Sequence, residues 1–307
     1  MKKVKLKVPA TIANLVCGFD ILGMAIHEPF DVMELKLLET SEIIIRHTDD
    51  FGLPEETSEN VAGKVLLKIQ EELHLKNGFE VIIHKKIKPG SGLGSSAASA
   101  AGAAFGANCL LGNILSKEEM IYFAMFGEEL ASGVKHADNI TPCIFGGITL
   151  IKSSNPIDII PLNSPDLFVT AVHPQIEVKT SDARQILKKN ILLKDAIEQW
   201  GNIAGLVAGI QNNDFGLIGR SLKDVIVEPV RSLLIPKFNE IKEKSLGLGA
   251  LGGGISGSGP SVFMLSENEK ISYEIAEMMK SVYRTIDIES FAYVSKVNPK
   301  GIEIIEE

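Results

Sequence analysis

Cysteine is scarce and poorly spaced for a scaffold: the 307 residues hold three, Cys17, Cys109 and Cys143, with no C-x-x-C pair. An odd, dispersed set excludes a disulfide framework and a thiolate zinc site, and fits reduced thiols in the cytoplasm. Positive charge is also in short supply. The 31 Lys and Arg against 39 Asp and Glu leave a formal net charge of −8, which argues against an extended basic face, so nucleic acid is not an expected partner. No apolar run reaches the ~20 residues that a bilayer span needs. The longest stretch of low polarity, Ser95 to Leu111, is mostly Ala, Gly and Ser and reads as a helix packed closely against its neighbours. The first ten residues alternate Lys with Val and Leu, like an edge strand, and contain no apolar signal core. A cytoplasmic protein with no membrane partner is therefore expected. Fixed-period repeats and low-complexity tracts are missing as well.

Glycine and serine, by contrast, are concentrated. Residues 88–104 read KPGSGLGSSAASAAGAA and follow an alternating strand at Gly78 to Ile87. Gly90, Gly92 and Gly94 allow a tight turn and a close approach to a ligand, and the helix that follows offers unpaired N–H groups to an anion. Ser95 and Ser96 fall at that helix start, where a hydroxyl caps the helix, touches phosphate or ligates a nucleotide-bound magnesium ion. A Walker loop needs Lys and Ser/Thr directly after its last Gly, and Ser95 follows Gly94, so this is no P-loop. Gly92, Gly94 and Ala97 match a G-x-G-x-x-A dinucleotide fingerprint, but a second helix, Ser116 to Ala131, follows where that fingerprint wants a strand.

Length and composition, 45% hydrophobic and 23% charged, predict a soluble two-domain globular chain. Period-2 alternation predicts strands at Val4 to Val8, Asp31 to Leu38, Glu42 to Ile45 and Gly78 to Ile87, with a helix from Asn60 to Leu73. A further strand, Ile148 to Lys152, precedes Pro/Asn-rich sequence, which places a domain junction near residue 155. The second half predicts a strand at Leu167 to Val172 and helices at Ser181 to Lys189, Asp195 to Gln211 and Lys237 to Ser245. A strand at Ser261 to Leu265, a helix at Glu269 to Val282 and a strand at Ser290 to Val297 complete it. The irregular alternation favours an α+β fold with mixed or antiparallel sheets and helices packed on them.

Three segments read together: KVPATIANLVCGFDILGMA (7–25), KPGSGLGSSAASAAG (88–102) and LGALGGGISGSGPSVF (248–263). Their order and spacing resemble the three motifs of the GHMP small-molecule kinases. With HADN (136–139), KTSDAR (179–184) and VEPVRSLLIP (227–236), the resemblance is to the homoserine kinase family and covers nearly the whole chain. It implies a two-domain GHMP kinase fold, with residues 1–155 as the ATP-binding domain. Residues 156–307 would then contribute the substrate arginines and a glycine-rich loop. The implied activity is ATP-dependent phosphorylation of the side-chain hydroxyl of L-homoserine, with ATP and Mg²⁺ as cofactors. A homodimer is a further expectation. A mevalonate or sugar kinase of the same superfamily and a non-catalytic regulator on the same fold are the alternatives.

The resemblance also implies residue roles. Pro89, Gly90, Ser91, Gly92, Leu93, Gly94, Ser95, Ser96, Ala97 and Ala98 would wrap the ATP phosphates, with Asn60 and Val61 near the adenine. Ser96 and Glu128 would hold the metal. Asn14, Asp20, His136, Asn139, Arg184 and Arg231 would bind the substrate. Paired arginines suit a carboxylate, because a guanidinium donates a fixed fork that Lys lacks; Asp20 suits an ammonium. Asn139, Asp138 and Lys88 are the catalytic candidates, Lys88 by adding positive charge and Asp138 as either a base or a structural carboxylate. Taken alone, Asp20 also reads as a cap for a helix starting at Ile21. The glycines from Gly252 to Gly259 read alone as a mobile loop or tight turn, and in the family context as a closure of the site. The first motif departs from the family pattern at Ile12 and at Val16-Cys17, which places a thiol beside the substrate and predicts inhibition by alkylation.

Overall fold

The structure, a computed structural model, describes residues 2–306, the side chain of Ser181 apart. The first half runs β1 (Lys3–Ala13), β2 (Leu22–Leu37), β3 (Ile43–His47), α1 (Val61–Glu72), β4 (Phe79–His84), α2 (Ser95–Leu111), α3 (Lys117–Ser132), α4 (Ile140–Phe145), β5 (Ile148–Ser154) and β6 (Ile157–Leu162). The second runs β7 (Phe168–Pro174), α5 (Thr180–Gln185), α6 (Leu193–Asn212), α7 (Phe215–Ser221), α8 (Glu228–Arg231), α9 (Phe238–Gly247), β8 (Gly252–Ile255), β9 (Val262–Ser266), α10 (Glu269–Arg284), β10 (Ser290–Lys296) and β11 (Glu303–Glu306).

Two sheets result, as an α+β chain with mixed pairing requires. The first has seven strands in the order β11-β1-β2-β4-β3, with β5 and β6 continuing from the start of β2. Its β3–β4 pair is parallel and its other pairs antiparallel. The second, β10-β7-β9-β8, is antiparallel throughout. Alternation explains β4: Phe79, Val81 and Ile83 are buried on one face and Glu80, Ile82 and His84 half-buried on the other. The helix α2 packs against α1, α3 and β1, and its Ala, Gly and Ser side chains let those backbones come close while burying apolar surface.

Several sequence expectations give way here. No helix begins at Ile21; Leu22 opens β2, because Leu22, Met24, Ala25 and Ile26 are buried between β1 and β5. The Pro/Asn-rich stretch forms the β5–β6 hairpin, so residue 155 lies in its turn. The chain changes sheet only between Leu162 and Phe168, and β11 returns to the first sheet. The glycine run starts as a strand, since β8 pairs with β9 from Gly252 to Ile255. Among the described residues, no helix is long and apolar enough to cross a membrane.

Candidate active site

A cleft of about 320 Å³ lies where the two sheets' loops meet. Its floor is the loop between β4 and α2. Gly92 and Gly94 take φ of +82° and +71°, and a Cβ at Gly92 would lie 2.7 Å from the Ser256 and Gly259 carbonyl oxygens. At Gly94 it would lie 2.0 Å from Thr11 Oγ1. Only glycine satisfies both conformation and space there. Gly94 caps α2 without a side-chain bond, so the first N–H groups of a 17-residue helix face the cleft with the positive end of its dipole.

The loop is braced from below by Lys85. Its ammonium is fully buried, pairs with Asp31, and donates to the Ser95 carbonyl (2.6 Å) and to Ser99 Oγ (2.9 Å). Asp31 in turn accepts from the Lys86 and Ile87 amides at 2.7 and 2.8 Å. Lys85 is absent from the expected site, yet period 2 along β4 carries the buried face from Phe79 through Ile83 to position 85. That parity was the available signal. Lys88, expected to add charge to the reaction, does not line the cleft; its ammonium bonds Gln175 Oε1 at the end of β7.

The expected phosphate-loop residues divide. Pro89, Gly90, Gly92, Gly94, Ser95 and Ser96 line the cleft, as do Asn60 and Val61. Ser91, Leu93, Ala97 and Ala98 are buried beneath the surface and set the loop's shape. Ser95 has its hydroxyl turned away, donating to the Ile87 carbonyl at 2.7 Å, whereas Ser96 hydrogen-bonds Glu128. Asn60 caps α1 through the Ala62 and Gly63 amides.

Glu128, on α3, is buried, and its Oε1 has no hydrogen-bond partner. Burial pushes its pKa up, against the pull of His136 and Ser96. His136 stands between two carboxylates, with Nε2 3.4 Å from Glu128 Oε2 and Nδ1 3.1 Å from Asp138 Oδ1. Burial alone lowers the His136 pKa, but the Asp138 hydrogen bond and the charges of Asp138, Glu128 and Asp20 outweigh it and raise it to about 9. Asn139 Oδ1 accepts from Thr11 Oγ1 at 2.8 Å, tying α4 to β1 beside Gly94.

The far wall carries the charged residues. Arg184 donates from both terminal nitrogens to Asp20, at 3.1 and 2.9 Å. Asp20 and Arg184, expected to take opposite ends of a substrate, thus take each other. Arg231 is buried, donating to the Ala183 and Gly257 carbonyls at 3.0 Å each, and the Phe19 ring lies 4.9 Å from its guanidinium carbon. Asn14 donates to the Gly257 carbonyl and accepts from the Asp20 amide, both at 3.0 Å. Phe19, Thr180, Gly257 and Ser258 complete this wall. Cys17 does not: it is 1% exposed, and burial pushes its thiol up to about 12.

The chain is similar to known proteins along nearly its whole length. Residues 60–147 match the GHMP kinases N terminal domain and residues 206–285 the GHMP kinases C terminal domain. A homoserine kinase of Chloroherpeton thalassium is 41% identical over an alignment 319 positions long, gaps included, covering 99% of this chain and all of that one. The crystal structure of homoserine kinase from Cytophaga hutchinsonii superposes with a TM-score of 0.94 at 45% identity, covering 99% of this chain and 98% of that one. The L. major mevalonate kinase, solved in complex with R-mevalonate, shares the fold at a TM-score of 0.72 and 15% identity, covering 97% of this chain and 96% of that one. By sequence along its whole length and by fold, the chain belongs to the homoserine kinase family of the GHMP kinases.

Proposed function

We propose that this kinase transfers the γ-phosphoryl group of ATP to the side-chain hydroxyl of L-homoserine, giving O-phospho-L-homoserine for threonine synthesis. The observation that carries the reading is the division of one cleft. An anion-binding helix terminus and glycine loop form one side, and a carboxylate with two guanidiniums forms the other. ATP phosphates fit the first side, and an amino acid's ammonium and carboxylate fit the second, with Asn14 and Asn139 orienting the two ends. The first sheet with its helices, through Leu162 at the end of β6, would bind nucleotide, and the unit that begins at β7 would bring Arg184, Arg231 and Gly257 to the substrate.

Between them stand Ser96 and Glu128. The unpartnered buried oxygen of Glu128 and the adjoining hydroxyl suit a hard divalent cation that takes few protein ligands and several phosphate and water oxygens. Magnesium held there would neutralise charge on the transferred group. Phosphoryl transfer asks chiefly for alignment and charge stabilisation. We assign that work to the α2 terminus, to His136 and to Asn139, and read Asp138 as the carboxylate that holds His136 rather than as a base. Lys88, bonded to Gln175, is not assigned a role in the transfer.

The test is ADP release with ATP and a panel of acceptors: homoserine, mevalonate and simple sugars. Turnover with homoserine alone is expected. Turnover only with mevalonate or a sugar, or with none, would overturn the reading.

We also infer a cytoplasmic homodimer, in keeping with three cysteines that form no disulfide. Support for the dimer comes from the outer face of α6. Leu193, Ile197 and Trp200 are 68%, 58% and 58% exposed, and Gly201, Ala204 and Ala208 continue the same uncharged stripe, also exposed. An antiparallel two-fold between residues 200 and 201 sets Leu193 against Ala208, Ile197 against Ala204 and Trp200 against Gly201 of a second copy. Large side chains meet small ones at every step, as an isologous interface requires. Exposed Ile191 and Leu192 extend the stripe. The helix is ~30 Å long.

A further inference from the structure

The inner face of α6 carries a polar residue that lines no cleft. Gln199 is 5% exposed, among Ala196, Leu206 and Ile210. Both ends of its amide are used on backbone: Nε2 donates to the Cys17 carbonyl at 2.7 Å, and Oε1 accepts from the Val225 amide at 3.0 Å. These two backbone groups belong to the two segments that carry the substrate wall.

The first segment is a turn whose left-handed residues are not glycines. Asn14, Leu15 and Val16 have φ of +73°, +42° and +68°, and Asp20 has +62°. The turn is closed by the Gly18 amide donating to the Asn14 carbonyl at 2.8 Å. The left-handed region is unfavourable for Leu15 and Val16 above all, and such a conformation persists only where surrounding contacts over-determine it. The turn ends by presenting Phe19 and Asp20 to the cleft. The second segment leaves Val225 through a knot in which Asp224 accepts from the Ile226, Val227 and Glu228 amides at 2.8, 3.0 and 2.8 Å. It enters α8, whose last residue is Arg231.

We propose that Gln199 is a positioning residue for the acceptor half of the site: a two-ended bracket that fixes the Asp20 turn and the Arg231 segment relative to each other. An apolar residue of equal volume would fill the space but leave a buried carbonyl and a buried N–H unpaired, and the turn would lose its tie through α6 to the Val225 segment. The inference rests on the proposed amino-acid acceptor for its kinetic consequence, though not for its structural one.

Gln199→Glu tests it with the least disturbance of packing. The variant keeps an acceptor for the Val225 amide and sets a carboxylate oxygen against the Cys17 carbonyl, opening one arm of the bracket. Gln199→Met opens both. The expected result is a rise of roughly tenfold in KM for homoserine in Gln199→Glu, larger in Gln199→Met, with KM for ATP within twofold. Amide hydrogen exchange at Gly18 and Asp20 should rise in both variants while exchange in α2 stays as in the wild type. That readout holds whatever the acceptor is. Wild-type protein inactive on homoserine would overturn the substrate reading and leave the exchange measurement to decide the bracket. Unchanged KM and unchanged exchange in folded Gln199→Glu would overturn the bracket alone. Equal rises in both KM values, or failure of both variants to fold, would overturn it in favour of general structural support.

Discussion

Arg184 grips Asp20 with both terminal nitrogens, at 3.1 and 2.9 Å, across the mouth of the acceptor site. In this pair the anion and the cation proposed for the two ends of a zwitterion neutralise one another. On that proposal an acceptor that carries both an ammonium and a carboxylate would replace each partner in turn, whereas a plain alcohol would leave the pair closed.

The two arginines should therefore fail differently. Arg184→Lys keeps charge and loses the fork, so KM for homoserine should rise by about tenfold to a hundredfold, with KM for ATP nearly unchanged. Arg231→Lys should add a loss of stability of about 1–3 kcal/mol, because the Ala183 and Gly257 carbonyls lose a buried donor. Steady-state kinetics with both substrates and denaturant unfolding separate the two. Equal effects on both substrates would sink the assignment to the acceptor.

Glu128→Gln should lower kcat by orders of magnitude without unfolding the protein, since the carboxylate is buried with one oxygen unpartnered. Its removal relieves a desolvated group and takes a hard ligand from the proposed magnesium site. Near-full activity of a folded variant across a magnesium titration would remove Glu128 from the metal site.

Thiol reagents give a prediction opposite to the one drawn from sequence. Cys17 and Cys143 are 1% and 0% exposed, and burial pushes both thiols above the ordinary range, Cys17 to about 12. Thiolate supply and access are both withheld. Iodoacetamide at pH 8 should leave activity intact and label, at most, the half-buried Cys109. Inactivation that saturating homoserine slows would restore the idea of an accessible Cys17.

His173 predicts a loss of stability toward acid. It is 3% exposed, and burial, aided by the charge of Lys88, lowers its pKa from 6.5 to about 4. Between those values the unfolded chain binds the proton and the folded chain does not, so stability falls as pH drops from 6.5 to 4. At pH 5 the loss attributable to this residue is about 2 kcal/mol. His173→Asn, which keeps an acceptor near Gln175 Nε2, should show a flatter profile in urea unfolding at pH 7 and pH 5. Parallel profiles would clear His173 of that role.

Trp200 is the chain's one tryptophan and sits at the centre of the proposed two-fold, so its emission reports on assembly. Wild-type protein should elute at twice 33.2 kDa with blue-shifted emission. Ile197→Glu should be monomeric with emission shifted to the red. A wild-type monomer at micromolar concentration would dismiss the α6 interface.

Local chemistry was enough for much of this. Alternation marks β4, the run GSGLGSS marks an anion-binding turn before a helix, and the spacing of the motifs marks the family, because each depends on neighbours in sequence. Other features depend on residues far apart in the chain. Nothing local makes Leu22 a strand residue; burial between β1 and β5 does. Proline and asparagine near 155 signal a break, yet the turn they make joins two strands of one sheet, since pairing partners are set by the whole sheet. Arg184 and Asp20 lie 164 positions apart, and only the closing of the second sheet's loops over the first brings the charges together. Cys17 is accessible or sealed according to whether α6 covers it, and Gln199 matters because that helix arrives there. Sequence by itself determined the chemistry the chain carries. Burial and long-range pairing, which cost loop-closure entropy and are repaid only in the assembled core, decided which of those groups face the cleft and which hold its walls.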